Sequence, residues 1–534
     1  MNIISKIAII PEPVSLNFVS GKFSLSKNTI IYSNKIIMHL GKYLKDLLSP
    51  ATGFNLKIYE FNNSTQKDNS INLILINEND IIESESYNLK IFPKNVTISA
   101  EGPAGIFYGI QTLRQLFPVE IESKEMVENV KWEIPCLEIE DYPRFKWRGY
   151  MLDEARHFQG KNIVKKLLDL LSLLKMNIFH WHLTDDQGWR IEIKTYPKLT
   201  EIGSKRAETQ VGSRLSKKRD GTPHEGYYSQ EDIKEIIDYA KNRFIKVIPE
   251  IDLPGHSKAI LASYPNLSCK GQPLEVSTHW GFHKDVLCVG KDEVFDFMID
   301  VLKEITDLFP SNTIHIGGDE VLKDRWRECP NCQNRLQSEG LHDENHLQSY
   351  FINRIAQYLK SNGHNVICWN DVLEKNLKED IICQFWFRGK KKVLDYIKKG
   401  GDVIISDFKY TYLDHSYSFT PLKLAYNFEP IPKKLSTQYH KQILGLEAPL
   451  WTEFVPNTKR LEWQTFPRLL VFAEIGWTHK NKKNYPFFHD RLIKFLKRLD
   501  YFGINYANLK EVKGNVFKRL FKWFTLLGEE KGGT

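Results

Sequence analysis

The sequence has few cysteines and no long apolar run, and both absences narrow the classes of protein it could be. Its 534 residues include seven cysteines, an odd number at irregular spacing, which argues against a disulfide framework and for a reducing compartment. No stretch is long and apolar enough to span a bilayer. The first ten residues lack the long apolar segment and small-residue cleavage site of a signal peptide. We therefore expect a cytoplasmic protein, or a secreted one if a leader has been removed.

The sequence also lacks several motifs that would define a reaction class. It contains no HExxH zinc motif, no glycine-rich phosphate loop and no nucleophilic serine or cysteine elbow. The net charge of +8 is spread along the chain because the lysines are scattered, so no nucleic-acid partner is indicated. What remains is carboxylates and twelve tryptophans, a combination that suits a pocket for a sugar.

One CxxC pair, Cys329 and Cys332, raises the question of a metal. A zinc site would need a second such pair or histidines at matching spacing, and neither is evident in the sequence. We therefore interpret the two residues as ordinary reduced thiols. Neither a metal nor a cofactor is expected.

Length and pattern predict two domains and a tail. Residues 1–143 combine short β-rich runs, beginning with Lys6–Ile10, with two helical stretches, Lys35–Leu48 and Gly102–Leu116. They contain no catalytic cluster and are predicted to form a small non-catalytic α+β domain. Residues 507–534 form a basic amphipathic tail. A helix docked on the rest of the protein or on a partner subunit is favoured there over a helix on a membrane surface.

Between residues 144 and 506, apolar strand-like runs alternate with amphipathic helical patterns. Eight such runs predict an α/β fold of the (β/α)8 TIM-barrel type, which is the second and catalytic domain. The runs are Trp147–Leu152, Asn177–Leu183, Phe244–Ile251, Thr313–Ile316, Asn365–Trp369, Ile381–Trp386, Asp402–Ser406 and Ile443–Leu446.

The principal candidate site follows the fourth of these strands, where residues 315–320 read HIGGDE. Two adjacent carboxylates repel each other and would raise the pKa of one of them, which suits acid catalysis. Neighbours on an extended strand point in opposite directions, so Asp319 and Glu320 are not expected to flank one glycosidic bond as acid and nucleophile. If Glu320 is the acid, Asp319 should instead orient part of the substrate.

Carboxylates and aromatic residues also follow the other predicted strands, at the end of a barrel where active sites lie. This convergence indicates one site rather than scattered loop polarity. The residues are Asp153 and Arg156 after strand one, Asp185 and Asp186 after strand two, Asp252 and His256 after strand three, Trp369 and Trp386 at strands five and six, Tyr412 and Asp414 after strand seven, and Trp451 and Glu453 after strand eight.

Four motifs carry a resemblance to the β-N-acetylhexosaminidases of glycoside hydrolase family 20. They are RGYMLDEARHF at 148–158, HWHLTDDQGWR at 180–190, PEIDLPGH at 249–256 and HIGGDE at 315–320, and the resemblance runs from the N-terminus to about residue 506. It implies an exo-acting, retaining hydrolase that removes terminal β-linked N-acetylglucosamine from small oligosaccharides such as chitobiose or from glycoconjugates, with N-acetylgalactosamine as a further candidate. The alternatives are a disaccharide-releasing member of the family and a catalytically silent sugar-binding barrel.

The resemblance also implies a mechanism in which the 2-acetamido group of the substrate is the nucleophile and forms an oxazolinium intermediate. Glu320 would be the acid and base, and Asp319 would orient the acetamido group. The other implied roles are Arg148 on the 3- and 4-hydroxyls, Tyr412 on the acetamido oxygen, Trp369, Trp386 and Trp451 as pocket walls, Asp414 and Glu453 on the 4- and 6-hydroxyls, and His256 with Asp252 and either Asp185 or Asp186 in support of the acid.

Overall fold

The computed structural model describes residues 7–61, 68–77, 82–213, 216–373, 377 and 380–514. Two units occupy these ranges, an N-terminal sheet with helices and a closed barrel. The tail predicted over residues 507–534 lies outside the described residues from 515 onward. Among the described residues, no helix has the length and apolar character needed to cross a membrane.

The N-terminal unit is a seven-stranded mixed sheet with the strand order β1-β7-β5-β6-β4-β2-β3. Helices α1 (Met38–Thr52) and α2 (Pro103–Leu116) pack against it and close an apolar core of their own. The strands are β1 (Ser15–Ser24), β2 (Ile30–Ser33), β3 (Lys57–Glu60), β4 (Ser70–Leu75), β5 (Tyr87–Ile91), β6 (Asn95–Ala100) and β7 (Glu133–Asp141).

The strand predicted at Lys6–Ile10 is wrong for its described part, residues 7–10. Ile9 and Ile10 are buried as expected for a strand. The backbone of Ile10, however, is bound on both sides by the Gln115 side chain, which accepts from its amide and donates to its carbonyl. A side chain therefore satisfies the groups that a neighbouring strand would otherwise take.

The second unit is a closed barrel of eight parallel strands, which confirms the predicted (β/α)8 fold. Nearly every strand residue is buried, as expected when helices cover a parallel sheet. The strands are β8 (Trp147–Asp153), β9 (Ile178–His182), β10 (Lys246–Glu250), β11 (Thr313–His315), β12 (Asn365–Trp369), β13 (Ile382–Phe385), β14 (Val403–Ile405) and β15 (Ile443–Leu450).

Helices surround the barrel, and several begin at side-chain caps. Ser229 and Asp232 form a reciprocal capping box at the start of α5, and Asp343 accepts two backbone amides at the start of α10. The helices are α3 (Lys161–Leu173), α4 (Lys198–Glu201), α5 (Gln230–Lys241), α6 (Lys258–Ser263), α7 (Asp292–Leu308), α8 (Asp324–Glu328), α9 (Pro330–Ser338), α10 (Glu344–Ser361), α11 (Lys390–Lys398), α12 (Leu422–Tyr426), α13 (Thr458–Thr465), α14 (Arg468–Trp477) and α15 (Tyr485–Tyr501).

Buried polar contacts attach the N-terminal unit to the barrel. Asp141, at the end of β7, accepts from the Lys175 ammonium at 2.8 Å and from the Trp477 indole at 2.8 Å. Arg498 of α15 reaches back to Glu122 at 2.7 Å. These groups are almost entirely shielded from water, so separating the units would leave unpaired charges.

Candidate active site

Asp319 and Glu320 lie in a sharp turn at the C-terminal end of β11. Gly317 and Gly318 both have positive φ, of +61° and +97°, and a Cβ at Gly317 would collide with the Asp252 carboxylate. The turn is held by the Gly318 amide, which donates to Asp252 Oδ1 at 3.1 Å. Glu320 itself has a φ of +52°, a conformation that costs about 1 to 3 kcal/mol and is found mostly at functional sites.

The turn gives the two carboxylates different surroundings. The side chain of Asp319 is 10% exposed, whereas that of Glu320 is 26% exposed. A surface cleft of about 310 Å³ opens beside Glu320, with Phe282, Asn345 and Asp371 among its lining residues. Glu320 is therefore the carboxyl group that solvent and a leaving group could reach.

His256, after β10, connects Glu320 to the aspartates after β9. Its Nε2 lies 3.6 Å from Glu320 Oε2 and 3.9 Å from Asp319 Oδ2. Its Nδ1 lies 3.2 Å from Asp185 Oδ1 and 3.3 Å from Asp186 Oδ2. Burial alone would lower the pKa of His256, but these negative neighbours raise it well above its ordinary value. The His256 imidazole thus lies between Glu320 and the two aspartates that follow β9.

Asp185 and Asp186 both contact His256, and they differ in their other partners. Asp185 also accepts from Arg156 at 2.6 Å and from His182 at 3.2 Å. Asp186 accepts from the Lys258 amide at 3.0 Å at the start of α6. Asp185 therefore links His256 to Arg156, while Asp186 binds the backbone at the start of α6, two residues after His256.

Asp319 occupies an environment that resists a negative charge. Burial raises its pKa well above the ordinary value, and the charges of Asp252, Glu320 and Asp371 raise it further, against the opposing effect of His256. Burial, followed by the charge of Glu250, also raises the pKa of Asp252, to about 7. Asp319 Oδ1 is buried and makes no hydrogen bond to any described residue. It is therefore available to accept a hydrogen bond from a ligand.

Four aromatic side chains form a cluster near Asp319, whose charge acts on the Tyr412 phenol. The Trp369 and Trp451 rings lie 5.9 Å apart, and Trp451 lies 6.5 Å from Tyr412. Trp386 stacks on Tyr412 at 6.4 Å and 26°. The structure thus brings together all four aromatic residues that the sequence placed in the site. Their ring faces could cover the apolar faces of a sugar.

Two of these rings are fixed by carboxylates. The Trp369 indole donates to Glu250 at 2.7 Å inside the barrel, and Glu250 is bound in turn by His182 at 2.5 Å. The Trp386 indole donates to Asp371 at 2.7 Å. Sequence reasoning missed Asp371, although it lies only two residues after Trp369. Its position directly after a strand end, beside a pocket tryptophan, was the available signal.

Arg148 is not a pocket residue, so its predicted contact with the substrate is wrong. It lies near the start of β8, fully buried, with its guanidinium on Glu85 of the N-terminal unit at 2.6 Å and 2.9 Å and on the Phe145 carbonyl at 2.8 Å. Substrates bind at the opposite, C-terminal end of the strands. The role of Arg148 is to join the two units.

Arg156, unlike Arg148, lies at the end of the barrel where active sites are found. It follows the C-terminal end of β8 and pairs with Asp185 at 2.6 Å and with Asp153 at 3.3 Å. Its guanidinium lies 4.9 Å from the centre of the Trp451 ring. Burial would lower the pKa of Arg156, but Asp185, Asp153 and Glu453 hold it well above the ordinary value. The same interactions place the half-buried Glu453 near Arg156.

Asp414 completes this side of the pocket. It is half-buried and close enough to Tyr412 for its charge to act on the phenol, and its backbone carbonyl accepts from Gln464 at 2.8 Å. Burial, above all, raises the pKa of Tyr412 well beyond its ordinary value, so the phenol stays protonated and can donate a hydrogen bond.

Fold and site together define a class, the (β/α)8-barrel glycoside hydrolases: one carboxyl group is open to a cleft, and its neighbour is buried in an aromatic pocket. The chain belongs to glycosyl hydrolase family 20, as the sequence motifs predicted. The family model for the catalytic domain matches residues 145–480, and the model for domain 2 matches residues 6–142.

Relatives agree with this assignment. The chain is 40% identical over 515 residues to a beta-hexosaminidase of Porphyromonas gingivalis, covering 94% of this chain and 64% of that protein. A GH20 beta-N-acetylhexosaminidase from Streptomyces coelicolor A3(2) superimposes with a TM-score of 0.82 at 31% identity, covering 95% of this chain and 99% of the other. An exo beta-N-acetylglucosaminidase of Vibrio harveyi, in complex with N-acetylglucosamine, gives a TM-score of 0.80 at 30% identity and covers 94% and 78%.

Proposed function

We propose that this protein is an exo-acting, retaining β-N-acetylhexosaminidase that removes terminal β-linked N-acetylglucosamine, with N-acetylgalactosamine as a second sugar to be tested. The observation that carries the proposal is that the two carboxyl groups of one turn have different surroundings. Glu320 faces a cleft, while Asp319 presents a buried, unpartnered oxygen to an aromatic pocket. An acid and a separate acceptor are what a reaction with an internal nucleophile requires.

In the first step, Glu320 donates its proton to the glycosidic oxygen as the bond to the anomeric carbon breaks. The carbonyl oxygen of the substrate's own 2-acetamido group attacks that carbon from the opposite face and closes an oxazolinium ring. In the second step, the Glu320 carboxylate takes a proton from a water molecule as the water oxygen attacks the anomeric carbon. The bond between that carbon and the acetamido oxygen breaks, which opens the ring. Two inversions leave the anomeric configuration unchanged.

Asp319 assists by holding the acetamido group. Its free Oδ1 would accept the acetamido N–H, which aligns the carbonyl oxygen with the anomeric carbon. Positive charge then develops on the ring that forms beside it. Burial opposes a negative charge on Asp319 in the free protein, whereas the positive charge of the ring would stabilise it, so the attraction is largest in the transition state.

Exo action is supported by the polar groups at the other side of the pocket. Arg156 offers a planar guanidinium, Glu453 lies close enough for its charge to act on Arg156, and the charge of Asp414 acts on Tyr412. Such a set could bind the hydroxyl groups of a terminal sugar. A disaccharide-releasing enzyme would need space for a second residue where these side chains lie.

An aryl N-acetyl-β-glucosaminide tests the activity, and a chitotetraose digest followed by chromatography tests the mode of attack. We expect monosaccharide to be released from the non-reducing end. Disaccharide as the first product would favour the disaccharide-releasing alternative, and no release between about pH 4 and 8, where a carboxyl acid works, would favour the silent barrel.

The role of Glu320 is tested by Glu320→Gln with two leaving groups. A good leaving group needs little protonation. The variant should therefore lose far more activity on chitobiose, whose leaving group is a sugar, than on a dinitrophenyl glycoside. Equal losses on both substrates would contradict a role as the acid.

The cytoplasmic location expected from the sequence stays a prediction.

A further inference from the structure

Four cysteines converge in the loops that follow β10 and β11, apart from the pocket described above. Cys269 and Cys288 belong to the segment between α6 and α7, and Cys329 and Cys332 flank the first residues of α9. Their sulfur atoms all lie within 4.8 Å of one another. The distances are 3.6 Å from Cys288 to Cys329, 3.6 Å from Cys288 to Cys332 and 3.8 Å from Cys269 to Cys332.

These distances match a tetrahedral metal site better than any other arrangement of thiols. Four sulfurs at about 2.3 Å from a zinc ion are separated from each other by about 3.8 Å. A disulfide would require about 2.05 Å. Apolar packing could bury four thiols but would not by itself make all four mutually adjacent. The three other cysteines, Cys136, Cys368 and Cys383, lie in strands β7, β12 and β13, outside this group.

The surrounding backbone is organised to hold the four sulfurs in place. Ser268 and Leu287 form an antiparallel bridge just before Cys269 and Cys288. The Trp326 indole, fully buried, donates to the Leu287 carbonyl at 2.9 Å and joins the two loops. A Cβ at Gly290 would collide with the backbone at Asn331. The absence of a side chain at Gly290 therefore lets the backbones of the two cysteine-bearing segments come into contact.

The local charges also suit thiolates. Cys329 and Cys332 lie at the beginning of a nine-residue helix, whose N-terminal dipole favours negative charge. The Gly290 amide donates a hydrogen bond to the Cys288 sulfur. Arg325 lies close enough to Cys269 for their charges to interact, and its guanidinium is fixed by Asp285 at 2.7 Å. A zinc ion with four thiolates carries two negative charges, and these groups would offset part of them.

We propose that Cys269, Cys288, Cys329 and Cys332 bind a structural Zn²⁺ ion. Four protein ligands leave no open position for water, so the ion would not take part in catalysis. Its effect would be to fasten the loop after β10, which carries His256 and Phe282, to the loop after β11, which carries Glu320. The proposal replaces the interpretation of Cys329 and Cys332 as ordinary thiols. Cys269 and Cys288 supply the other two ligands, although they lie far from the CxxC pair along the chain and do not form a second CxxC motif.

Metal content of the intact protein is the direct test. The chain is produced in zinc-supplemented medium, purified without chelator, and analysed by plasma mass spectrometry. We expect about one zinc ion per chain, released when a mercurial reagent titrates the thiols. The double variant Cys329→Ser/Cys332→Ser should lose nearly all of it, while Cys136→Ser, a buried thiol in the N-terminal unit, should retain it.

Cobalt provides a test that does not depend on a variant folding. Wild-type protein from cells grown with Co²⁺ in place of zinc should show the intense visible and sulfur-to-metal absorption of a tetrahedral four-thiolate site. Three results would overturn the proposal. They are metal-free protein with four free thiols, iron bound in place of zinc, and a mass lower by two hydrogens for each disulfide formed. A double variant that keeps its full zinc content would do the same.

Discussion

Replacing Asp319 with asparagine should separate its role in catalysis from its effect on stability. The substitution preserves shape and keeps a carbonyl oxygen that could still accept the acetamido N–H, so what it removes is the capacity for negative charge. A cation about 4 Å from a carboxylate gains about 4 kcal/mol at an effective dielectric constant of about 20. Because about 1.4 kcal/mol corresponds to a factor of ten, kcat should fall by about 10²- to 10³-fold.

The same substitution should stabilise the free protein. Burial and the neighbouring carboxylates raise the pKa of Asp319 above its value of 3.8 in a model compound. Between pH 3.8 and the raised pKa, the folded state holds a proton that the unfolded state has lost, so the free energy of unfolding decreases as the pH rises. Asparagine has no such ionisation. The stability gain of Asp319→Asn should therefore increase with pH across this window.

The assay pairs kinetics on an aryl N-acetyl-β-glucosaminide with urea unfolding of the same samples at several pH values. Glu320→Gln serves as the matched control, because it neutralises the adjacent carboxyl group but should spare substrates with good leaving groups. Asp319→Asn should slow good and poor leaving groups alike. An unchanged kcat would refute the assigned role, and a lower stability would show that the loss came from disrupted folding.

Four further outcomes follow from the site. Arg156→Lys should raise KM about 10- to 100-fold, since it loses a charge-assisted donor fork worth about 1.5 to 3 kcal/mol. Arg148→Met should instead leave KM of the folded protein near wild type. It should lower the free energy of unfolding, measured by urea denaturation, by about 3 to 5 kcal/mol. Asp371→Ala should raise KM several-fold, because it removes the acceptor for the Trp386 indole, and wild-type KM would contradict that anchoring role. Asp252→Asn should reduce the loss of stability between pH 3.8 and about 7, because the folded pKa of Asp252 is raised to about 7; an unchanged pH slope in urea unfolding would count against it.

The sequence predicted the barrel because each strand and helix is marked by local periodicity. All eight predicted strands are present, and their bounds shift by only a few residues. Separate roles were predicted for Asp319 and Glu320 because neighbours on a strand face opposite directions. The structure places both residues in a turn beyond β11, and there the difference between them is in burial. The pocket tryptophans followed from the rule that active sites lie at the C-terminal ends of barrel strands.

The prediction that Arg148 contacts the substrate failed for a physical reason. Arg148 and Arg156 belong to one motif, eight positions apart in the numbering, and the motif alone does not say which one reaches the sugar. Arg148 begins β8 and Arg156 follows its end, so they lie at opposite ends of the barrel. Partners supplied by distant segments, Glu85 for one and Asp185 for the other, then fix their different roles.

By itself, the sequence determined the fold, which depends on patterns within single elements, and its motifs predicted the acid and its neighbour. Only the tertiary structure decided which charged groups meet. His256 reaches two aspartates from β9 and the acid from β11, and Cys269 and Cys288 join a CxxC pair more than forty residues away. Such contacts are formed by loops from different strands converging at one end of the barrel, and no local pattern records them.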